Sequence, residues 1–359
     1  MQRLRGGSHR HSDADRRRLD GALTMAASGR TRGAKAKPDD AATGPVGVRT
    51  LNLALQGGGA HGAFTWGVLD RLLEDPRIRI EGISGTSAGA MNGAMLVQGF
   101  EDGGADGARA ALDAFWRRIG EAGQLAPVQR TPFDALFGDR WNLDSSPAYL
   151  WFDAWSRVLS PYQFNPLNLN PLRDVLAASV DPGRLAECQA VKLYVSATNV
   201  RSGKIKVFER GEVTVDALLA SACLPFVFQA VEVDGEAYWD GGYMGNPALF
   251  PLIYGCRSPD IAIVQINPLT RDEVPTTASD IADRVNEISF NSTLMREMRA
   301  IAFVRKLIDD EGLARSKYKR LNIHMIGAES EMKGLGVSSK VNVDWAFLTH
   351  LKRIGRDTA

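Results

Sequence analysis

The chain has 359 residues, of which 44% are hydrophobic and 24% are charged. This composition predicts a globular protein with a large core, in one big domain or two smaller ones. The formal net charge of +1 is unevenly spread, because residues 1–50 carry eleven Lys and Arg against five Asp, and the rest carries 32 basic against 37 acidic side chains. A mildly acidic body is a poor partner for polyanions, so no nucleic-acid partner is expected.

Residues 1–48 are predicted to form a disordered basic tail. After Leu23 they contain almost no large apolar residue, so burial cannot offset the entropy of ordering them. No signal peptide is visible, and the longest uncharged run, residues 82–100, is too polar for a membrane span. Three widely spaced cysteines without a C-x-x-C pair indicate buried, reduced thiols. We therefore expect a cytoplasmic protein that touches a membrane only peripherally.

From Leu51 the sequence alternates between strand and helix patterns. A strand, a turn and a helix are predicted at LNLAL, GGGAHG and AFTWGVLDRLL, and the same order recurs at IRIEGI, SGTSAG and AGAMNGAMLVQGF. Repeated strand, turn and helix units build a parallel sheet with helices packed on its faces. The predicted fold class is therefore α/β, with a central, mostly parallel sheet.

The middle of the chain breaks this alternation. Residues 100–187 are predicted to form an aromatic helical insertion, and strand patterns return at VKLYVSATNV, IKVFER, FQAVEVD, AYWD and DIAIVQIN. A long amphipathic helix is then predicted from Ala278 to Asp310, before a strand at YKRLNIHMI and a helix at VDWAFLTHLKRI. Its apolar positions recur at helical spacing and are Ile281, Val285, Ile288, Met295 and Met298.

One serine occupies a turn that suits nucleophilic catalysis. Ser87 lies in Gly85-Thr86-Ser87-Ala88-Gly89, which fits G-x-S-x-G between a predicted strand and a predicted helix. This turn is tight, so its neighbours two residues away must be very small, and the flanking glycines meet that requirement. The turn directs a helix N-terminus and its dipole at the serine. The motif predicts a serine nucleophile elbow, with the Ala88 N–H beside a developing oxyanion.

The glycine turn after the first strand predicts a second part of the site. Gly57, Gly58 and Gly59 leave bare N–H groups that can point into one concavity, which suits an oxyanion or a phosphate. The segment GGGAHG also matches the dinucleotide-binding fingerprint G-x-G-x-x-G. That fingerprint requires an acidic residue at the end of the next strand, whereas this strand runs directly into the serine turn. The dinucleotide reading is therefore disfavoured.

No histidine is well placed to activate the serine. His324 alternates with core residues of a strand, His350 lies on a helix face, and a base at His61 would crowd the oxyanion site. Asp240 is the better candidate, because it ends a strand and is followed by two glycines that permit a sharp turn towards the serine. In isolation, such an acid would more often be an ordinary turn residue.

GGGAHG, GTSAG and DGG occur in that order, with ASACLPFVF ahead of the last. With these motifs the chain resembles the patatin-like acyl hydrolases and phospholipases over about Leu51 to Pro268. The resemblance implies a three-layer sandwich and a Ser-Asp dyad of Ser87 and Asp240. It also implies an oxyanion hole from the backbone of residues 57–59, no cofactor and no metal. The chain departs from the family at His61, where Arg or Lys is common, so any positive charge there would depend on pH.

The resemblance implies hydrolysis of lipid acyl esters by a catalytic domain at residues 49–270, with an extension at 271–359 packed on the same domain. The expected partners are a lipid or acyl-ester substrate and a transient membrane surface, and the oligomeric state is left open. His61, Trp151 and Trp155 are predicted to contact substrate, although the tryptophans could equally belong to the core. A short-chain polyester depolymerase, a thioesterase and a non-catalytic lipid-binding homologue remain alternatives.

Overall fold

A computed structural model describes residues 47–124, 141–144, 146–156, 158–314 and 317–359. Most of the predicted tail of residues 1–48 and part of the predicted insertion therefore lie outside the described residues. The described part of the chain forms one eight-stranded sheet with helices on both of its faces. The predicted α/β fold class with a central sheet is confirmed.

The sheet contains β1 (Arg49–Leu55), β2 (Ile78–Gly85), β3 (Lys192–Asn199), β4 (Ile205–Glu209), β5 (Val231–Val233), β6 (Glu236–Asp240), β7 (Asp260–Val264) and β8 (Asn322–Ile326). The strand order is β5-β6-β3-β2-β1-β7-β8, and β4 also pairs with β3. The neighbouring strands β3-β2-β1-β7-β8 are all paired in parallel. β4, β5 and β6 pair in antiparallel fashion. The sheet is therefore mostly parallel, as predicted.

The helices connect these strands and cover both faces of the sheet. In chain order they are α1 (Gly62–Leu72), α2 (Ala88–Gly123), α3 (Pro147–Ser156), α4 (Pro161–Phe164), α5 (Pro171–Ala177), α6 (Pro182–Glu187), α7 (Val215–Ser221), α8 (Phe250–Gly255), α9 (Ala278–Asp310), α10 (Glu329–Met332) and α11 (Trp345–Thr358). The helical path of α2 is interrupted at Gly103 and Gly104, where the second glycine has φ +62°. The part of α2 beyond this break belongs to the predicted insertion.

Alternating side chains of β1 enter two separate cores. Leu53 and Leu55 pack on one face with residues of α1, α2 and α11, whereas Ala54 packs on the other face with residues of α8 and α9. Successive side chains of a strand point to opposite faces, so a strand that is apolar at every position is buried on both sides. The described part of the chain therefore has three layers, with the sheet in the middle.

Packing and charged contacts join the last described helix to the first. α11 packs along α1, and Arg356 of α11 contacts both Asp70 and Glu74 at the end of α1. The ammonium of Lys352 lies 3.9 Å from the centroid of the Trp66 ring, a cation–π contact. These contacts bring the C-terminal region next to the helix that follows the glycine turn.

The bounds predicted for the long helix agree with α9, but three of its five predicted apolar positions are not buried. Ile281, Val285 and Ile288 are each about half exposed. The face against the sheet instead carries an apolar set at the same spacing, together with the polar side chains of Glu287 and Asn291; the apolar set is Phe290, Leu294, Ile301 and Ile308. In the part of the chain that the structure describes, no helix is both long and apolar enough to cross a membrane.

Candidate active site

Ser87 lies on a strained turn between β2 and α2. Its φ of +52° lies in a region that residues with a side chain rarely adopt, and such strain is typical of functional sites. Added methyl groups at Gly85 and Gly89 would meet backbone atoms of α2 and β1 respectively, so only glycines fit on either side of the serine. The Ser87 N–H donates to Oγ of Ser221, 2.8 Å away in α7. The turn is therefore held in a conformation that presents the serine side chain above the end of the sheet.

The glycine turn after β1 lies against this serine. A methyl group on Gly57 would come within 2.7 Å of Cβ of Ser87, so the two turns are in direct contact. The Gly57 N–H donates to Oδ1 of Asn246 at 2.7 Å and is therefore already engaged. This differs from the prediction that all three glycines offer free donors. Among the described residues, the N–H groups of Gly58 and Gly59 have no hydrogen-bond acceptor.

Asp240 ends β6 beside the serine and is 2% exposed. The Gly242 N–H donates to its Oδ1 at 2.7 Å, and the Ser87 hydroxyl is a hydrogen-bonding neighbour of the carboxyl group. Burial raises the pKa of Asp240 to about 7, because its desolvation outweighs the opposing effects of Gly242, Ser87 and Lys340. The carboxyl group is therefore poised to exchange a proton near neutral pH.

Both side chains open into a cavity of about 410 Å³. Its wall also includes Gly57, Gly58, Gly59 and Ala88, so all the predicted oxyanion residues line the same space, although the Gly57 N–H is already engaged by Asn246. Most of the remaining wall is apolar and comes from α2, α5, the segment after α7, α9 and the C-terminal region; examples are Met91, Phe115, Ile119, Leu172, Val175, Phe228, Phe290 and Val343. A wider depression of about 820 Å³, lined by Asp283 and Glu287 among others, contains neither Ser87 nor Asp240.

A buried polar network supports the glycine turn from behind. Oε1 of Gln56 accepts from the N–H groups of Ile266 and Asn267, each at 2.9 Å. Nδ2 of Asn267 donates to the Gly57 carbonyl at 2.9 Å, and Oδ1 of Asn267 accepts from the ammonium of Lys340 at 2.8 Å. The turn is therefore connected through one carboxamide to a lysine of the C-terminal region.

Three predicted substrate contacts do not lie on the cavity wall. His61 is buried, with Nε2 at 2.7 Å from Oγ of Ser339 and its ring edge-on to Phe347. Burial, with lesser effects from Lys340 and Arg271, holds the pKa of His61 well below its ordinary value, so the ring is neutral at pH 7. Trp151 and Trp155 pack on each other and are 66% and 42% exposed.

Sequence reasoning missed several residues of the site. Ser221 was quoted only as part of ASACLPFVF, and Asn246, which follows the DGG turn, carried no signal of its own. Lys340 lies on the cavity wall but is 100 residues beyond Asp240, in a stretch without a recognisable motif. Contacts of this kind depend on tertiary structure, so no local pattern could have indicated them.

A family model described as patatin-like phospholipase matches residues 53–253, which is more than half of the chain. The chain belongs to the patatin-like phospholipase family. The matched range contains the glycine turn, Ser87 and Asp240, whereas Lys340 lies outside it. Membership of this family supports lipid ester hydrolysis as the activity. No curated protein matches the sequence at a significant level.

Among solved structures, the chain is similar to VipD from Legionella pneumophila, with 17% identity and a TM-score of 0.35 over 84% of this chain and 66% of that one. It is also similar to the ExoU–SpcU complex from the type III secretion system of Pseudomonas aeruginosa, with 19% identity and a TM-score of 0.31 over 76% of this chain and 58% of that one. A second structure of the type III effector ExoU has 14% identity and a TM-score of 0.29, over 84% and 53% of the two chains. The chain thus spans from about half to just under two thirds of the length of these proteins.

Proposed function

We propose that this protein is a lipid acyl hydrolase in which Ser87 is the nucleophile and Asp240 is its base. The observation that carries the proposal is the pairing of a serine on a strained turn with a buried carboxyl group at one end of an apolar cavity. A nucleophile and a base within hydrogen-bond reach are the signature of activated serine catalysis. The family to which the chain belongs supports the same reaction class.

In the first half of the reaction, Asp240 accepts the proton of the Ser87 hydroxyl while Oγ attacks the ester carbonyl carbon. The N–H groups of Gly58, Gly59 and Ala88 then stabilise the negative charge on the carbonyl oxygen. Each such donor lowers the barrier by about 3 kcal/mol in hydrolases. When the tetrahedral intermediate collapses, the ester C–O bond breaks and the protonated Asp240 returns its proton to the leaving alcohol.

In the second half, water attacks the acyl group that is bound to Ser87. Asp240 accepts a proton from this water, and the same N–H groups stabilise the second tetrahedral intermediate. The bond between Oγ and the acyl carbon breaks, the serine regains its proton from Asp240, and a fatty acid is released. An aspartate with an ordinary pKa near 3.9 would be a weak base for these steps. A pKa near 7 gives Asp240 the basicity that they require.

The substrate proposed for this site is a lipid. Ligand cavities of about 300 to 1,000 Å³ with apolar walls and few polar groups suit apolar ligands, and a volume of about 410 Å³ falls in this range. We further propose that the exposed side chains of Trp151 and Trp155 make the transient contact with a membrane surface, because such rings favour the interface between lipid and water.

Ser87→Ala and Asp240→Asn test the proposed dyad on a p-nitrophenyl acyl ester. Each variant should lose at least about 1,000-fold in kcat, because members of such a unit act together. Matched controls are Ser289→Ala, a half-buried helical serine outside the cavity, and Asp234→Asn, an exposed turn acid close to Asp240 in the chain. Activity at the wild-type level in either dyad variant would contradict the proposal.

A panel of phospholipid, thioester and hydroxybutyrate-oligomer substrates then separates the lipid hydrolase from a thioesterase and a polyester depolymerase. We expect the highest kcat/KM on the phospholipid. A fluorophosphonate probe should label the wild-type protein at Ser87, and no labelling would indicate a non-catalytic lipid-binding homologue. Vesicle co-sedimentation of Trp151→Ala/Trp155→Ala should show weaker binding than that of Phe303→Ala, which removes an equally exposed ring from α9.

A further inference from the structure

The cavity that contains Ser87 has a second charged residue on its wall. Among the described residues that line it, the ionisable side chains are those of Asp240 and Lys340. Lys340 lies in a 3₁₀ segment, Val337–Val341, which is outside the range matched by the family model. An ionisable group on the wall of an apolar cavity is costly to maintain, so its position calls for a functional explanation.

The ammonium of Lys340 is only partly satisfied. It donates to Oδ1 of Asn267 at 2.8 Å, and none of the described carboxylates lies within ion-pair distance of it. Its nearby acids are engaged elsewhere, since Glu287 pairs with Arg271 and Arg284, and Asp283 accepts from the Val337 N–H. An ammonium has three donors, so two of them have no protein acceptor in the described part of the chain.

Burial has the largest effect on the Lys340 ammonium, and the charges around it are of both signs. Burial and Arg271 lower the pKa of Lys340, whereas Glu287, Asp283 and Asp240 raise it. A desolvated ammonium with unused donors gains strongly from an anionic ligand, because charge-assisted hydrogen bonds are stronger at low dielectric. Asp240 cannot serve as a permanent partner, because it is not within ion-pair distance and is expected to gain and lose a proton during turnover.

Lys340 is also held close to the reaction centre. Its ammonium and the Gly57 carbonyl are bridged by the single carboxamide of Asn267, and its own carbonyl oxygen lies against Gly59. An ester whose carbonyl oxygen points at the N–H groups of Gly58 and Gly59 therefore shares its cavity with the ammonium of Lys340. In a glycerophospholipid the anion nearest to the acyl ester is the glycerol phosphate.

We propose that Lys340 is a specificity-determining residue that binds the phosphate of a glycerophospholipid and so favours phospholipids over neutral glycerides with the same acyl chains. This inference rests on the proposed lipid acyl hydrolase function and adds the residue that distinguishes between lipid classes. The lysine acts as a point charge on one phosphate oxygen, while the acyl chain occupies the apolar part of the cavity.

The test compares kcat/KM for a short-chain phosphatidylglycerol and for a diacylglycerol of equal chain length, both below their aggregation limits. In Lys340→Met, the ratio of the two values should fall about ten- to a hundredfold, as expected for a lost hydrogen bond to a charged group. Lys340→Arg should restore much of the ratio. Lys204→Met, which removes an exposed lysine, is the matched control. An unchanged ratio in a folded Lys340→Met protein would overturn the inference.

Lys340→Gln is a second variant in case methionine disturbs the fold, because the glutamine amide can still donate towards Asn267 but has no charge. A binding measurement separates this inference from the proposed chemistry. In a Ser87→Ala background, the Kd for the phospholipid should rise at least tenfold in Lys340→Gln, while the Kd for diacylglycerol should change less. If the wild type cleaves no ester but this difference in Kd persists, the proposed hydrolysis is wrong and the role of Lys340 stands. Equal changes in both Kd values would overturn that role.

Discussion

The Ser87 hydroxyl and the Asp240 carboxyl are hydrogen-bonding neighbours, although one begins a helix and the other ends an antiparallel strand. They meet because Asp240 is paired with Ala197 of β3, and β3 lies beside β2, which leads into the serine turn. The carboxyl group is almost fully enclosed, and this burial determines how the site should respond to pH.

The activity should depend on pH through Asp240. The base must be ionised to accept a proton, and its pKa is raised to about 7, so kcat/KM for a p-nitrophenyl ester should rise with pH and level off above about 8. At pH 5 about 1% of the base would be ionised, which predicts a loss of about 100-fold relative to pH 8. A neutral ester is the appropriate substrate, because it has no phosphate whose binding would depend on the charge of Lys340. A flat profile from pH 5 to 9 would exclude Asp240 as the base.

The same buried carboxyl group should lower the stability of the folded protein at high pH. Because the folded pKa is above the unfolded value, the cost is absent below about pH 4, grows as the pH rises and is complete above about pH 7. Asp240→Asn should therefore stabilise the fold by up to about 4 kcal/mol at pH 8, and this gain should disappear near pH 4. Denaturant unfolding at both pH values measures it. Asp234→Asn, which changes an exposed acid, is the matched control.

Gly59→Ala should disturb the contact between the glycine turn and the C-terminal region. Gly59 has φ +58°, and an added methyl group would collide with the Lys340 carbonyl oxygen. The strained backbone alone costs about 1–2 kcal/mol, and the collision should displace the donors of the oxyanion site. We expect kcat to fall at least about 100-fold, in line with the loss of one such donor. Gly211→Ala is the control, because a methyl group there meets open space. Equal activities of the two variants would contradict this prediction.

Ser221→Ala should loosen the serine turn without touching the dyad. Oγ of Ser221 accepts the Ser87 N–H, and its loss leaves that buried donor unsatisfied at a cost of about 1–3 kcal/mol. Labelling of Ser87 by a fluorophosphonate should slow by about tenfold or more, while the pH midpoint of activity stays near that of the wild type. Ser289→Ala serves as the control, since its hydroxyl bonds only to its own helix. A shifted midpoint would instead indicate that Ser221 acts on Asp240.

Local signals in the sequence were sufficient for the order of the strands. The strand, turn and helix units around Gly57 and Ser87 are continuous in the chain, so hydrophobic periodicity and glycine placement report on them directly. The bounds of α9 were also predictable, but its buried face was not. Two apolar stripes share this helix, and only the sheet beneath it determines that Leu294 is buried while Val285 is exposed.

The candidate site, like the fold, could be predicted from the sequence only in part. Ser87 and Asp240 stand in short motifs, so their types and neighbours could be recognised without coordinates. The engagement of the Gly57 N–H by Asn246 could not, because it joins residues that are 189 positions apart. Lys340 is a stronger case, since a lysine in a stretch of mixed composition gives no indication that it faces an enclosed apolar cavity. Such roles depend on which segments the fold brings together.

One consequence follows from the way the C-terminal region completes the cavity. Gly58 and Gly59 come from the first strand connection, whereas Lys340 and Val343 come from almost 300 residues later, and all four face the same space. A ribosome must therefore translate past these late positions before a nascent chain can assemble the pocket. The part of the cavity wall that Lys340 and Val343 contribute can therefore form only after nearly all of the described α/β body has been synthesised.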